Sequence, residues 1–179
     1  TGMSNLGDIE EALDAVRGEG NSDVVLLHCV SAYPAAPENM NLNAIKSLRN
    51  SFRVPVGLSD HTLGTMVSQI ALALGANVIE RHFTLDRTLE GPDHILSSEP
   101  SEMRELVRCA SLIESILGDG VKRIQPPEYD TINSQRKSLY AAVDIEEGAV
   151  ISSDDVSVKG PGGGLQPRYL DIVVGRRAR

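Results

Sequence analysis

The sequence predicts an α/β fold, in which helices alternate with parallel strands, followed by a smaller β-rich unit. Three observations predict it. Helix-periodic segments and short apolar runs alternate three times between residues 6 and 83, and a continuous apolar run bounded by turn residues is how a strand buried on both faces reads. A polar stretch broken by Pro126-Pro127 then follows a long amphipathic segment. Beyond it the helical period gives way to short strand-like runs and Gly-rich turns. A doubly wound sheet and a (β/α)8 barrel both satisfy this order.

Leu6, Ile9, Leu13 and Val16 recur at helical spacing, with Ser4 or Asn5 as N-cap and Gly18 and Gly20 as stops. Residues 24–29 read as the first strand. The loop Tyr33-Pro34-Ala35-Ala36-Pro37 leads to a second helix marked by Leu42, Ile45 and Leu48, and residues 54–58 form the second strand. Ser59-Asp60-His61-Thr62 opens a third helix, with Met66, Ile70 and Leu74 expected inward, and residues 77–83 are the third strand. A polar loop over 84–100 precedes a helix on Met103, Leu106, Val107, Ala110, Ile113 and Leu117, closed by Gly118. Residues 119–135 read as an extended linker. In the second unit, strands are expected at 138–143 and 149–151, with a tight loop at 160–164.

Composition narrows the function. The chain has 179 residues, with 17 Lys+Arg against 25 Asp+Glu for a net charge of −8, and no basic run that would gather nucleic acid or anionic lipid. Aromatic residues make up 3% and Trp is absent, which removes most stacking platforms for single-stranded nucleic acid. No apolar stretch approaches the roughly 20 residues that span a bilayer, so the expected address is the cytoplasm. Cys29 and Cys109 show no CxxC spacing and read as buried reduced thiols.

Barrels and open α/β sheets place reactive side chains where strands end. His28, His61 and His82 lie at such ends. Two imidazoles on neighbouring strands can meet on one metal, with carboxylates such as Asp60 or Glu80 as supporting partners; His61 and His82, one βα unit apart, have that relation. His28 lies inside the apolar run and reads as a packed, hydrogen-bonded residue. Gly91-Pro92 is a turn that leaves Asp93 and His94 to face a pocket. Ser31, Tyr33 and Ser59 follow strands, where hydroxyls suit phosphate or sugar oxygens and suit loop capping equally. There is no Walker A, GxGxxG or GxSxG motif.

Four motifs in order closely resemble the sialic acid synthase family: Leu27-His28-Cys29 with Tyr33-Pro34, Ser59-Asp60-His61-Thr62-Leu63-Gly64, Ile79-Glu80-Arg81-His82-Phe83-Thr84, and Gly91-Pro92-Asp93-His94. The resemblance implies the C-terminal part of a (β/α)8 TIM barrel over 1–118, a linker over 119–135, and a partial antifreeze-like (SAF) domain over 136–179, cut at both ends. It implies a metal-dependent condensation of phosphoenolpyruvate with an N-acetylated amino sugar such as N-acetylmannosamine, releasing phosphate. The implied cofactor is a divalent metal, Mn²⁺ with Mg²⁺ or Co²⁺ as alternatives, and the implied assembly is a domain-swapped homodimer. Carried over by motif, His61 and His82 are the metal ligands and with Asp93 the catalytic set; Ser31 and Ser59 hold phosphoenolpyruvate, and Tyr33 and Asp93 contact the sugar.

Two departures qualify this. The family's phosphate-holding lysines and catalytic glutamate fall in the first half of the barrel, before this chain, so the chain alone is expected to be inactive. Its SAF motif Lys-Arg-Pro-Gly reads Lys159-Gly160-Pro161-Gly162 here, which passes the arginine's sugar contact to another residue such as Arg168. The alternative reading is a non-catalytic carbohydrate-binding or assembly protein derived from this fold.

Overall fold

A computed structural model describes residues 1–179, the side chain of Asn133 excepted. The chain divides into two compact units, Thr1–Gly120 and Val121–Arg179. The first holds a parallel three-stranded sheet of order β1 (Leu26–Cys29), β2 (Val56–Asp60), β3 (Ile79–Arg81). Helices α1 (Leu6–Gly18), α2 (Asn43–Phe52), α3 (Met66–Ala73) and α4 (Pro100–Leu117) alternate with the strands. At the start of the chain the Thr1 nitrogen and hydroxyl both donate to the Leu27 carbonyl, at 2.9 and 2.8 Å, which lays these residues beside β1.

Helix α1 starts where Asn5 caps it. The Asn5 side chain accepts from Gly7 and Asp8 backbone nitrogens while the Asp8 carboxylate accepts from Asn5 N–H, a reciprocal box that satisfies otherwise orphaned donors. Only the central strand β2 is buried along its whole length; β1 and β3 are partly covered. Its Val56 and Leu58 form the core with Leu13, Met40, Ile45, Leu48, Val67 and Ala71.

The inward face of α3 differs from the expected one. Met66, Ile70 and Leu74 are exposed, whereas Val67, Ser68 and Ala71 are buried. This helix is apolar nearly all round, so periodicity does not select a face; the selection comes from Ser68, whose hydroxyl donates to the Asp60 carboxylate. In α4, Leu106 is buried while Val107 and Leu117 are exposed. Cys29 and Cys109 are free thiols, each partly buried.

Residues 126–135 are helical, where an extended linker was expected. A 3₁₀ turn at Pro126–Glu128 runs directly into α5 (Tyr129–Gln135). The prolines occupy the first turn, where no N–H is needed, so they start this helix instead of preventing it. In the second unit β4 (Ser138–Ala141) pairs antiparallel with β5 (Val156–Lys159), and α6 (Leu170–Val173) follows. The strand expected at 149–151 is instead a short bridge to the chain's last residues, with Ile151 N–H donating to the Arg176 carbonyl and Ala178 N–H to that of Ala149. Among the described residues no helix is long and apolar enough to cross a membrane.

Candidate active site

Strand register assembles the site. β2 and β3 pair Ser59 with Glu80 and Asp60 with Arg81, and since successive side chains leave a strand on opposite faces, these pairs serve different sides of the sheet. On one face the Ser59 hydroxyl donates to Glu80 Oε1 at 2.7 Å. On the other, toward α3, Asp60 accepts from Thr62 N–H and Oγ1, from Ser68 and from the Arg81 guanidinium. Arg81 also donates to Ser98 Oγ and to the Thr62 carbonyl. Both charged side chains are shut from solvent, at 0% and 2% exposure.

One residue further on, the alternation returns His61 and His82 to the Ser59 side. Their rings lie 5.3 Å apart between centroids at 70°, and the Tyr33 ring lies 4.3 Å from His61 and 5.9 Å from His82. The Tyr33 loop is fixed there because Ala35 N–H donates to the His61 carbonyl at 3.0 Å. His61 is buried, with Nδ1 at 3.1 Å from the Val30 carbonyl and 3.9 Å from Cys29 Sγ. A carbonyl only accepts, so Nδ1 carries the proton and Nε2 keeps its lone pair. His82 has Asp93 beside it, 3.7 Å from Nδ1 to Oδ2, with the Asp93 side chain 62% exposed.

That donor set fits a divalent cation: two imidazoles on one rim, one with its tautomer held by a backbone carbonyl. Among the described residues no group of three or more His, Cys, Asp or Glu side chains converges, so water or substrate oxygens would fill the other positions of such an ion. Asp60 and Glu80, expected to support the histidines, do not; Asp60 is taken up by Arg81, Ser68 and Thr62, and Glu80 by Ser59. Ser31 Oγ lies 3.9 Å from Cys29 Sγ, the sulfur that stands 3.9 Å from His61 Nδ1. His28 bonds through Nε2 to the Met40 carbonyl at 2.6 Å. It lines a cavity of about 540 Å³ between α1, β1 and α2, whose lining includes Cys29 and neither His61 nor His82.

The loop after β3 carries Asp93 and is tied down at both ends. Ser98 N–H donates to the His82 carbonyl at 2.8 Å and Thr84 N–H to that of Ser98 at 3.0 Å. His94, expected to face a pocket, instead meets Thr84 Oγ1 through Nδ1 at 2.7 Å. Arg87 anchors the loop to the start of α4 by donating to the Ser97 carbonyl and to Glu102. The guanidinium holds the Glu102 carboxyl below the usual carboxylate range, and the carboxylate in turn raises Arg87. The sequence reading passed over Arg81 and Cys29; Arg81 was findable, since it and Asp60 each precede a candidate histidine by one residue.

The NeuB family profile matches residues 1–122 and the SAF domain profile residues 136–179. An uncharacterized protein of Methanocaldococcus jannaschii is 47% identical over 179 residues, 100% of this chain and 53% of that one. An N,N'-diacetyllegionaminic acid synthase of Campylobacter jejuni is 43% identical over 180 residues, 99% of this chain and 54% of its own. This chain therefore spans about half the length of these relatives. The crystal structure of the sialic acid synthetase from Leptospira borgpetersenii superposes with a TM-score of 0.65 at 39% identity, over 73% of this chain and 46% of that one. With β1–β3 as parallel strands of a partial TIM barrel and a SAF domain behind them, the chain belongs to the NeuB family.

Proposed function

We propose that this chain carries the metal-binding rim of a nonulosonic acid synthase, which condenses phosphoenolpyruvate with an N-acetylated amino sugar and releases phosphate. The observation that carries the reading is the meeting of His61 and His82 at the ends of adjacent strands, 5.3 Å apart, with Tyr33 against both. The relative named as a legionaminic acid synthase supports the reaction class.

In this reading His61 and His82 hold a divalent ion, Mn²⁺ with Mg²⁺ or Co²⁺ as alternatives, which when bound polarises the sugar's aldehyde oxygen. C3 of the enol bonds to the aldehyde carbon; water adds at C2 and inorganic phosphate leaves. Tyr33, more than half exposed beside both rings, packs against the sugar. Asp93, open to solvent beside His82, accepts from a sugar hydroxyl. Ser31 and Ser59 hold phosphoenolpyruvate, Ser59 by exchanging its Glu80 bond for an anion oxygen. Arg81 is paired with Asp60, so the phosphate's cationic contacts come from elsewhere in the whole enzyme, which acts as a homodimer.

The test is phosphate release from phosphoenolpyruvate and N-acetylmannosamine, with a panel of related amino sugars, by the full-length protein. His61→Ala and His82→Ala should each weaken Mn²⁺ binding, read by calorimetry, by at least about 100-fold, since each removes a ligand and the loss of a group that only supports a ligand already reaches that range. Metal affinity and turnover unchanged in both variants would overturn the reading. Saturable sugar binding without phosphate release would point to the non-catalytic alternative.

A further inference from the structure

Residues 84–98 join β3 to α4 through a loop that contains one short 3₁₀ turn, His94–Leu96. Asp93 immediately precedes that turn. Its exposed carboxylate stands 3.7 Å from His82 Nδ1, beyond hydrogen-bond reach, so its position is set by the backbone of the turn. That backbone is held from two sides. From the α4 side, the buried Ser97 donates its hydroxyl to the Asp93 carbonyl at 2.7 Å and its N–H to that of His94 at 3.2 Å.

From the β3 side the tie is the His94 ring, whose Nδ1 lies 2.7 Å from Oγ1 of the buried Thr84. The Thr84 hydroxyl gives its one proton to the Asp86 carbonyl, at 3.1 Å, so it accepts from His94 and Nδ1 carries the hydrogen. The neutral and the charged ring make that bond alike. The opposite edge of the ring meets Gly91, where a Cβ would stand 2.9 Å from His94 Cδ2 and 3.3 Å from Nε2, and where a φ of +147° favours glycine. His94 thus spans the loop as a strut, from the end of β3 to the turn that presents Asp93.

We infer that His94 is a positioning residue for sugar recognition: its bond to Thr84 fixes the Asp93 carboxylate beside His82. The inference rests on the sugar contact proposed above for Asp93. A carboxylate already held in place meets a sugar hydroxyl without first being ordered, and a loosened one gives up that advantage. The test is steady-state kinetics of the full-length protein with Mn²⁺, phosphoenolpyruvate and N-acetylmannosamine, beside Mn²⁺ affinity by calorimetry. His94→Gln, whose amide reaches toward the Nε2 position and misses Thr84, should raise the sugar KM about tenfold, the worth of one hydrogen bond to a charged group. Thr84→Val, which removes the acceptor, should do the same. The KM for phosphoenolpyruvate and the Mn²⁺ affinity should stay at wild-type values in both, which also reports an intact fold. His94→Asn, which places an N–H donor where Nδ1 stands, should return the sugar KM to within about twofold of wild type. In an Asp93→Asn background His94→Gln should add nothing, a coupling that a merely structural role would not produce. A sugar KM unchanged in His94→Gln or Thr84→Val, an impaired His94→Asn, a Mn²⁺ affinity lost along with the sugar, or additive effects with Asp93→Asn would overturn the inference and leave the proposed reaction standing. A wild-type protein that neither binds nor consumes any amino sugar would overturn the reaction, and this inference with it.

Discussion

Asp60 and Arg81 are fully buried, and each stands next to a candidate metal ligand. A buried ion pair offsets its desolvation only when the remaining lone pairs and protons are bonded, and here Thr62, Ser68 and Ser98 do that. Removing one partner leaves a bare charge in the interior. Arg81→Met should therefore cost about 3–5 kcal/mol in urea unfolding, and a loss below about 1 kcal/mol would mean the pair does not hold the strands. The two histidines were legible because each stands at the end of a strand-like segment. Asp60 does not support them because the period of two sends the neighbour of a strand residue to the opposite face, and Glu80, on their own face, accepts from Ser59 instead.

Among the elements, α4 shows which half of a pattern a sequence conveys. Its period and its end at Gly118, in a left-handed φ of 59°, were plain, whereas Pro100, read as the last residue of the loop, opens the first turn. How wide its buried face is depends on what packs there, and only Leu106 is buried fully. Leu106→Ala should cost about 2–5 kcal/mol and Val107→Ala under about 0.5 kcal/mol by thermal or urea unfolding; equal costs would refute the assigned face. The α3 face was illegible for the converse reason, a helix apolar on all sides whose orientation is set by one buried serine. At the entrance to α4, Glu102 is held below its unfolded value near 4.3 by Arg87. A depressed folded value stabilises the protein above the unfolded one, and that stabilisation is lost as pH falls through the folded value. Glu102→Gln should thus lower the melting temperature at pH 7 and lose the difference from wild type in acid, an effect of about 1 kcal/mol for a partly exposed pair.

At the scale of the whole chain, two units are joined by a segment whose residues 119–125 are exposed and lack helix or strand. Brief trypsin digestion should cut first after Lys122, seen by mass spectrometry as two fragments; first cleavage within residues 24–60 would contradict this. Three parallel strands do not close an eight-stranded barrel, so the 179-residue chain assayed alone should bind Mn²⁺ yet release no phosphate. The first unit's order of elements was legible because each strand and helix carries its own local period. In the second unit the strand at 138–143 was legible and is β4, but its pairing was not, since it joins residues 156–159 across an intervening segment while 149–151 turn to the chain's end; such pairings leave no mark in local sequence.

The ladder that joins β2 to β3 also limits how this protein can change. Ser59 and Asp60 answer Glu80 and Arg81 rung by rung, with the rings of His61 and His82 meeting just past the last rung, so one inserted or deleted residue in either strand inverts every position beyond it. The same event would bury an imidazole against α3 and turn a bare carboxylate toward the rim. Altered specificity in this scaffold is therefore reachable by substitution and by lengthening the 84–98 loop, while the spacing inside the two strands is closed to variation.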